Sequence, residues 1–416
     1  MSPRAREADV VVIGGGPAGL AAAASAADAG AKVVLVDRNR ELGGILNQCI
    51  HDGFGLHAFG EVLTGPEFAA RCIDRALGAG VEAHPDTMVA ELAPSRELVC
   101  TTPGERYRLR APSVVLAMGC RERTRGMLRI PGTRPAGVYT AGTAQWLTNM
   151  RNLRVGERIL ILGSGDIGLI MARRLTWEGA EVVGVVEVLP YPSGLPRNIT
   201  QCLEDYGIPL HLSHSATCIH GRERLESVTI ARFDENRQPI PGTEFDVACD
   251  TLLLSVGLIP ENELSRRAGV RLDATTSGAS VDGRYMTNVP GIFSCGNVLH
   301  IHDLADWAAD EGARTGAQAA AYALGETSQE KDESVRIEPG DGVRYVVPQT
   351  VSKGSEEVLV SFRVAAPDED RTAEVVADGR VFASQTLRRA HPAEMVQMKV
   401  ACADGFDVDR LEVRLK

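Results

Sequence analysis

The sequence lacks cysteines placed to act in pairs. It contains neither a Cys-x-x-Cys nor a Cys-x-x-x-x-Cys spacing, and its nine cysteines stand at positions 49, 72, 100, 120, 202, 218, 249, 295 and 402. An odd number at irregular spacing excludes the disulfide framework of a small secreted domain and the ligand set of a zinc ribbon. We therefore expect reduced thiols and a cytoplasmic protein.

Positive charge and aromatic residues are also scarce. The 416 residues include 44 Lys and Arg against 55 Asp and Glu, which gives a formal charge of −11, and only 5% are aromatic. A negative protein is not attracted to nucleic acid or to an anionic membrane, which argues against general binding to either but does not exclude a local basic patch.

No apolar run fits a membrane span. Residues 10–27 carry no charge, but Gly14, Gly15, Gly16 and Pro17 interrupt them and alanine fills most of the rest. This composition argues against both a signal peptide and a spanning helix. Glycine, by contrast, is abundant with 43 residues, which indicates tight turns and close approach of the backbone to ligands.

A strand, a glycine-rich turn and a helix open the chain. The apolar run at 8–13 predicts a buried strand, Gly14, Gly16 and Gly19 fit G-x-G-x-x-G, and an alanine-rich helix follows to about residue 29. The three glycines permit the turn, the approach of a pyrophosphate and close helix–strand packing, while the helix N-terminus favours phosphate. Asp37 ends the next strand, where a carboxylate can accept both ribose hydroxyls of an adenosine.

The same order recurs from residue 158. A strand at 158–162 precedes a turn with Gly163, Gly165 and Gly168, and a helix to about residue 178 leads into a strand that ends on Glu187. A carboxylate here repels a 2′-phosphate, and no arginine follows until Arg197, so the pattern favours NAD(H) over NADP(H). The chain therefore carries two similar dinucleotide-binding modules.

Further elements set the domain organisation. Meanders of strands are predicted at 86–118 and 217–247, and a helix at about 303–324. Residues 325–334 are polar and indicate a linker. Beyond them, alternating apolar residues and the hairpin signal Asp378-Gly379 predict a small all-β domain at 335–416, of sandwich type.

The two modules resemble the two-dinucleotide-binding flavoprotein reductases of the pyridine nucleotide-disulfide oxidoreductase superfamily. The resemblance covers residues 8–325, and its further landmarks are Glu41-Leu42-Gly43-Gly44, Ala117-Met118-Gly119, Ser255-Val256-Gly257 with Pro260, and Gly291–Asn297, where Asn297 replaces the usual aspartate. It implies an α/β fold with an FAD-binding domain (1–120 and 258–327), an inserted NAD-binding domain (121–257) and the β domain. FAD and NAD(H) are the implied cofactors.

The resemblance also implies which residues bind the two nucleotides. They are Gly14, Gly16, Pro17, Ala18, Gly19, Asp37, Arg38, Gly43, Gly44, Asn47, Ala117, Met118, Gly119, Gly163, Ser164, Gly165, Asp166, Ile167, Gly168, Glu187, Gly257, Gly296 and Asn297.

The redox dithiol of the superfamily is missing. Disulfide reductases place Cys-x-x-x-x-Cys just after the Gly-Gly pair, whereas residues 43–51 contain only Cys49. Thioredoxin reductases place Cys-x-x-Cys after an Ile-Pro-Gly turn, and the residues that follow Ile130-Pro131-Gly132 contain no such pair. We therefore expect electrons to pass directly between the flavin and a donor or acceptor.

Longer strings resemble one branch of the superfamily, the NAD/FAD oxidoreductase found in bacteria beside an FAD-dependent glycerol-3-phosphate dehydrogenase and a small Cys-motif protein. These strings are residues 41–55, 118–125, 162–172 and 295–303. The branch implies electron transfer with a partner dehydrogenase, and either a homo-oligomer or a hetero-oligomer is compatible with it.

Cys49 and His51 are the candidate catalytic residues, because the family geometry would place them near the flavin ring. Cys49 is either a thiolate whose pKa is lowered by His51 or a small apolar filler beside a packing histidine. His300 and His302 follow the late FAD motif and could line the flavin or a substrate pocket. The spacings of these residues match no compact ligand pattern, so no metal site is expected.

Three other functions remain open. The chain could be one component of an amine or opine dehydrogenase of the same superfamily, or an NADH oxidase or persulfide reductase that uses Cys49 alone. It could also be a non-catalytic flavin-binding assembly module, although the intact glycines and acids of both turns argue against that.

Overall fold

The computed structural model describes residues 5–326, 333–403 and 405–416. The chain divides into two compact units, which we call the first unit (Met1–Cys120 with Pro260–Lys416) and the inserted unit (Arg121–Ile259). The expected linker at 325–334 lies partly outside the described residues, because 327–332 are not among them. The helices of the described part are each too short or too polar to cross a bilayer.

The first stretch of the chain alternates strands and helices before an antiparallel meander. Its elements are β1 (Ala5–Glu7), β2 (Val10–Ile13), α1 (Pro17–Asp28), β3 (Val33–Val36), α2 (Leu56–Phe59), α3 (Gly65–Gly78), β4 (Glu82–His84), β5 (Met88–Leu92), β6 (Glu97–Thr101), β7 (Arg106–Arg110) and β8 (Ser113–Leu116).

The inserted stretch repeats this plan. Its elements are β9 (Cys120–Glu122), α4 (Arg125–Leu128), β10 (Val138–Thr140), α5 (Ala141–Arg151), β11 (Arg158–Leu162), α6 (Asp166–Trp177), β12 (Glu181–Glu187), α7 (Pro196–Cys202), β13 (Leu210–Leu212), β14 (His214–Gly221), β15 (Leu225–Arg232), β16 (Phe245–Ala248), β17 (Thr251–Leu254) and β18 (Leu258–Pro260).

The chain then completes the first unit and adds a run of strands. These elements are α8 (Glu263–Arg267), β19 (Ile292–Ser294), α9 (Ala305–Ala323), β20 (Ser334–Pro339), β21 (Val343–Val347), β22 (Thr350–Ser352), β23 (Glu357–Val364), β24 (Asp368–Ala377), β25 (Arg380–Ala390), β26 (Val396–Ala401) and β27 (Arg410–Leu415).

Each unit contains a five-stranded parallel sheet. The strand order is β19-β8-β2-β3-β4 in the first unit and β10-β17-β11-β12-β13 in the inserted unit. The strands β2, β3 and β8 are buried along their whole length, as expected for a parallel sheet covered on both faces. The glycine-rich turns therefore lie at the carboxyl edge of each sheet, where such folds bind ligands.

Helices α1 and α9 pack unusually close to each other in the first unit. A Cβ at Gly312 would overlap the carbonyl oxygen of Ala18, and one at Gly316 would overlap that of Ala22. The two glycines let the helix backbones touch, which holds α9 against the start of α1.

The C-terminal strands form a sandwich of two sheets, β22-β20-β27-β24-β25 and β21-β23-β26, around their own apolar core. Asp378 and Gly379 have φ of 48° and 79°, as a two-residue hairpin turn between β24 and β25 requires. The α/β fold with a β tail is thus as expected. The C-terminal strands fall within the first unit, and Tyr345 and Val347 of β21 pack into the core around Val11 and Leu116.

Candidate dinucleotide-binding sites

The first glycine-rich turn connects β2 to α1. Gly14 has φ of 109°, and a Cβ at Gly19 would overlap the carbonyl oxygen of Gly14, so both positions require glycine. A Cβ at Gly16 would meet nothing within 4 Å. None of the described side chains caps the N-terminus of α1, which begins at Pro17. The turn therefore leaves open space and available N–H groups where a pyrophosphate would bind, so it fits a dinucleotide.

Asp37 lies beside this turn at the end of β3 and is buried. Its Oδ2 accepts a hydrogen bond from the backbone N–H of Gly15 at 2.6 Å, and its Oδ1 accepts one from that of Asn39 at 2.7 Å. An ionised carboxylate can accept about four hydrogen bonds, so two positions remain for ribose hydroxyls. The neighbouring Arg38 is exposed.

The other segments predicted to bind the first nucleotide converge on the same edge of the sheet. The N–H of Gly43 donates to the carbonyl oxygen of Gly15 at 2.7 Å, and a Cβ at Gly44 would stand 3.0 Å from Cα of Gly16. Asn47 holds this segment by donating to the carbonyl oxygen of Leu42 at 2.9 Å.

The late segments reach this edge as well. Ala117 follows β8, and its backbone lies against Gly14. A Cβ at Gly296 would stand 2.6 Å from that of Ala18. Asn297 donates from Nδ2 toward the Cys120 sulfur at 3.7 Å. The predicted residues Met118 and Gly119 connect β8 to β9, where the carbonyl oxygen of Gly119 accepts from the N–H of Glu261 at 3.0 Å.

The second glycine-rich turn connects β11 to α6 in the inserted unit. A Cβ at Gly163 would overlap the carbonyl oxygen of Ser255, and one at Gly168 would stand 2.7 Å from the Ser255 Cβ. At Gly165 the closest atom to a Cβ would be the Ser255 hydroxyl, 3.5 Å away. Ser255 thus packs against this turn as Ala117 packs against the first one, and its hydroxyl accepts from the N–H of Gly168 at 3.0 Å.

Glu187 ends β12 at the position equivalent to Asp37 and is buried. Its Oε2 accepts from the N–H of Ser164 at 3.0 Å, the Ser164 hydroxyl at 2.6 Å and the Ser193 hydroxyl at 2.9 Å. Its Oε1 accepts from the N–H of Leu189 at 3.0 Å. Glu187 therefore already accepts four hydrogen bonds from the protein, unlike Asp37. Nothing local in the sequence marked Ser193.

The predicted residues Asp166 and Ile167 lie in the first turn of α6. Asp166 Oδ1 accepts from the N–H of Leu195 at 2.8 Å and from Asn198 Nδ2 at 2.7 Å. The segment after β12 is thereby held against the second turn. The predicted residue Gly257, with φ of 103°, accepts at its carbonyl oxygen from the N–H of Arg123 at 3.2 Å.

Cys49 and His51 follow a 3₁₀ turn at Gly44–Gln48 and are both partly buried. The Cys49 thiol donates to the carbonyl oxygen of Ile45 at 3.3 Å. Nδ1 of His51 lies 2.9 Å from the carbonyl oxygen of Asp52, and its ring packs against that of Phe54. The catalytic role of the pair stays a prediction.

Asp306 is a buried residue that the sequence did not single out. Its carboxylate accepts from the backbone N–H groups of Gly55, His57 and Ala58 at 3.0–3.1 Å. Trp307 stacks on the His57 ring with centroids 4.7 Å apart. The start of α9 thus fixes the chain that follows Cys49.

His300, His302 and Glu311 form a buried cluster whose ligand atoms all lie within 4.8 Å of one another, so it could hold a metal ion. Burial lowers the pKa of His300. Burial also opposes ionisation of Glu311, but the charges and hydrogen bonds of His300 and His302 outweigh it and hold its pKa well below its usual range. The sequence spacing gave no sign of this cluster, because Glu311 lies further along the chain, within α9.

Arg363 of β23 reaches the same region from the C-terminal strands. It donates to the carbonyl oxygens of Ile301 and Pro392 at 2.9 Å each, and it lies 3.4 Å from Asp303 Oδ1. The β tail therefore fixes the segment between the late motif and α9.

Comparison with known proteins agrees with this geometry. A sequence profile described as pyridine nucleotide-disulphide oxidoreductase matches residues 8–312. Mitochondrial dihydrolipoyl dehydrogenase of Caenorhabditis elegans is 28% identical over 351 residues, covering 74% of this chain and 66% of its own length. One subunit of the opine oxidase of Agrobacterium tumefaciens is 26% identical over 284 residues, covering 64% of this chain and 55% of its own. The chain thus spans less than two thirds of the length of these relatives.

A solved structure shows the same fold. The crystal structure of thioredoxin reductase from T. acidophilum superposes with a TM-score of 0.63 at 23% identity, and the match covers 77% of this chain and all of that one.

Proposed function

The chain belongs to the pyridine nucleotide-disulphide oxidoreductase family, and from this we propose that it transfers hydride between NAD(H) and a second redox partner through FAD, without a redox-active dithiol. FAD and NAD(P)H are the cofactors of this family, whose members are FAD-dependent oxidoreductases. The observation that carries the proposal is the repeated pairing of a glycine-rich turn with a buried acid, Gly14 with Asp37 and Gly163 with Glu187.

The chain's own residues would position the two nucleotides. The first turn and the N–H groups of α1 would hold the FAD pyrophosphate, and Asp37 would accept hydrogen bonds from the adenosine ribose. The second turn and Glu187 would do the same for NAD(H). Bound FAD supplies the hydride acceptor, and the protein would orient the two rings and tune the flavin.

Glu187 favours NAD(H) over NADP(H) in this proposal. Its carboxylate is buried at the end of β12, where a 2′-phosphate would meet a negative charge. Desolvation of both groups would make that repulsion stronger than it is in water.

The distribution of cysteines supports direct transfer. All nine cysteines are described, and none forms a disulfide. Burial raises the pKa of Cys72 and of Cys249 to about 12, so neither supplies a thiolate at neutral pH. Cys49, Cys120 and Cys218 are only partly buried, and of these Cys49 is the one predicted to lie beside the flavin ring. We also propose that the chain works in the reducing cytoplasm.

The proposed second redox partner is a dehydrogenase subunit. The strings 41–55 and 295–303 support the branch found beside an FAD-dependent glycerol-3-phosphate dehydrogenase and a small Cys-motif protein, in a hetero-oligomer or as a homo-oligomer. A second candidate is one component of an amine or opine dehydrogenase. The likeness to a protein named as part of an opine oxidase favours this candidate.

Steady-state oxidation of NADH by the FAD-loaded chain tests the proposal. We expect turnover of the wild type with ferricyanide, and little consumption of oxygen or of glutathione persulfide. Cys218→Ser, which changes another partly buried cysteine, is the matched control. Oxygen or persulfide turnover that is lost in Cys49→Ser alone would replace the proposal with an oxidase or persulfide reductase. Retained FAD without any NADH oxidation would indicate an assembly module.

A further inference from the structure

The two acids that end β3 and β12 differ in how many hydrogen bonds they can still accept. Asp37 accepts two, both from backbone N–H groups. Glu187 accepts four, two of them from serine hydroxyls. An ionised carboxylate has about four acceptor positions, two on each oxygen, so Asp37 can accept both ribose hydroxyls at once. Glu187 has one position left, on Oε1, and a second ribose hydroxyl must displace one of the three donors on Oε2.

Ser193 is the partner that can leave. The N–H of Ser164 and the N–H of Leu189 are backbone groups held by the turn and by the end of β12, and the Ser164 hydroxyl belongs to a fully buried side chain. Ser193, in contrast, lies six positions after Glu187 on the segment between β12 and α7, and it is partly exposed. Its hydroxyl contacts both Glu187 Oε2 at 2.9 Å and the Ser164 hydroxyl at 3.2 Å.

Further contacts hold the segment around Ser193 against the second glycine-rich turn. The Ser193 N–H donates to the Ser164 hydroxyl at 2.8 Å, and the N–H of Leu195 donates to Asp166. A Cβ at Gly194 would stand 2.8 Å from the carbonyl oxygen of Ser164 and 2.9 Å from Asp166 Oδ1. Glycine at 194 therefore allows the segment to lie directly over the turn that would receive the nucleotide.

We propose that Ser193 competes with the adenosine ribose of NAD(H) for Glu187 and so sets the affinity of the second site. This inference rests on the proposed function, which places NAD(H) at the second turn. Binding would exchange the Ser193 hydrogen bond for one from a ribose hydroxyl, with a shift of the segment between β12 and α7. Ser193 is an affinity-determining residue in this account and takes no part in hydride transfer.

Calorimetric titration of the FAD-loaded chain with NAD⁺ tests the competition without any turnover. Ser193→Ala removes one competing hydrogen bond, and we expect the Kd for NAD⁺ to fall about 2- to 12-fold. Ser193→Thr keeps the hydroxyl and should retain the wild-type Kd. Ser384→Ala, an exposed serine of β25, is the matched control and should also leave the Kd unchanged.

Nicotinamide mononucleotide separates competition from general loosening, because it lacks the adenosine ribose. Its Kd should be the same for the wild type and for Ser193→Ala. An unchanged or higher Kd for NAD⁺ in Ser193→Ala, or an equal gain for the mononucleotide, overturns the inference. Failure of the wild type itself to bind NAD⁺ or NADP⁺ while it retains FAD would instead overturn the proposed function.

Discussion

Glu311 Oε2 and His300 Nε2 lie 2.7 Å apart, and both side chains are almost completely buried. An ionised carboxylate only accepts hydrogen bonds, so the His300 nitrogen is the donor. Glu311 Oε1 accepts from the N–H of Gly296 at 2.7 Å. One carboxylate of α9 thus fixes the late segment that the sequence places at the nucleotide site.

Glu311→Gln should destabilise the first unit. The amide keeps the shape of the side chain but carries no charge. The hydrogen bonds from Gly296 and His300 to a carboxylate therefore become weaker neutral ones, and His300 must change its ring tautomer if the NH₂ group faces it. We expect a loss of about 2 kcal/mol in the free energy of unfolding, measured by urea denaturation with flavin fluorescence as the signal. Glu263→Gln, on an exposed ion pair, should cost less than about 0.5 kcal/mol. Equal effects of the two changes would contradict the role of Glu311.

Stability should fall below about pH 6.5. The pKa of His300 is lowered by burial, and the charges of His302 and Arg363 act in the same direction, while Glu311 opposes them. Below that pH the unfolded chain binds a proton at this histidine and the folded chain does not. The free energy of unfolding therefore falls by up to about 1.4 kcal/mol per pH unit, until His300 is protonated in the folded chain as well. His300→Gln should reduce this slope in urea titrations between about pH 7.5 and 5.5.

A second histidine, His211, contributes to the same pH dependence, and its contribution must be measured separately. Burial also lowers the pKa of His211 in the inserted unit, so His211→Gln measures its share of the slope. A slope that disappears in His211→Gln and persists in His300→Gln would rule out the cluster as its source. The lowered pKa of Glu311 adds a further loss at pH below about 4.5.

Gly16→Ala should abolish FAD binding and leave the fold intact. The residue has φ of −80° and a Cβ there meets no protein atom within 4 Å, so alanine fits the protein and obstructs only a ligand. Gly78→Ala, at the end of α3 with equally open space, is the matched control and should keep its FAD. Flavin absorbance per protein and the circular dichroism spectrum report the two properties. Wild-type FAD content in Gly16→Ala would disprove the pyrophosphate position.

Arg363→Lys should loosen the segment between the late motif and α9. The planar guanidinium of Arg363 reaches Ile301, Asp303 and Pro392 at the same time, which a lysine cannot do, so at least one partly buried carbonyl loses its partner. We expect a melting temperature lower by roughly 3 °C or more, together with earlier release of FAD on heating. Arg410→Lys, on an exposed ion pair of β27, should change neither. FAD release at the wild-type temperature would show that the β tail does not support the site.

The modules were predictable because their signals are local. A buried strand, three glycines and an acid follow one another within a short stretch, and each residue type is required by backbone geometry or by the ligand. These signals predict the two parallel sheets. The strands of the β tail are predicted by a different local signal, the alternation of apolar and polar residues. The separate tail domain stays a prediction. Alternation marks which side chains are buried, but it does not show that Tyr345 and Val347 pack into the core around Val11 and Leu116.

The residues that the sequence did not reveal contact partners that lie far away along the chain. Asp306 holds the backbone of Gly55, 251 positions away, and nothing nearby distinguishes it among the 55 acids of the chain. Ser193 matters only because its segment folds back on Ser164. Such pairings depend on the tertiary fold, so periodicity and motif spacing cannot give them.

Anaerobic titration of the purified chain with NADH and, separately, with NADPH tests the central claim most directly. The account predicts rapid loss of the oxidised-flavin absorbance with NADH, and little or none at equal concentrations of NADPH, because Glu187 is buried where a 2′-phosphate would lie. Absorbance that persists with both nucleotides, in a chain that retains its FAD, would contradict direct hydride transfer between the two modules.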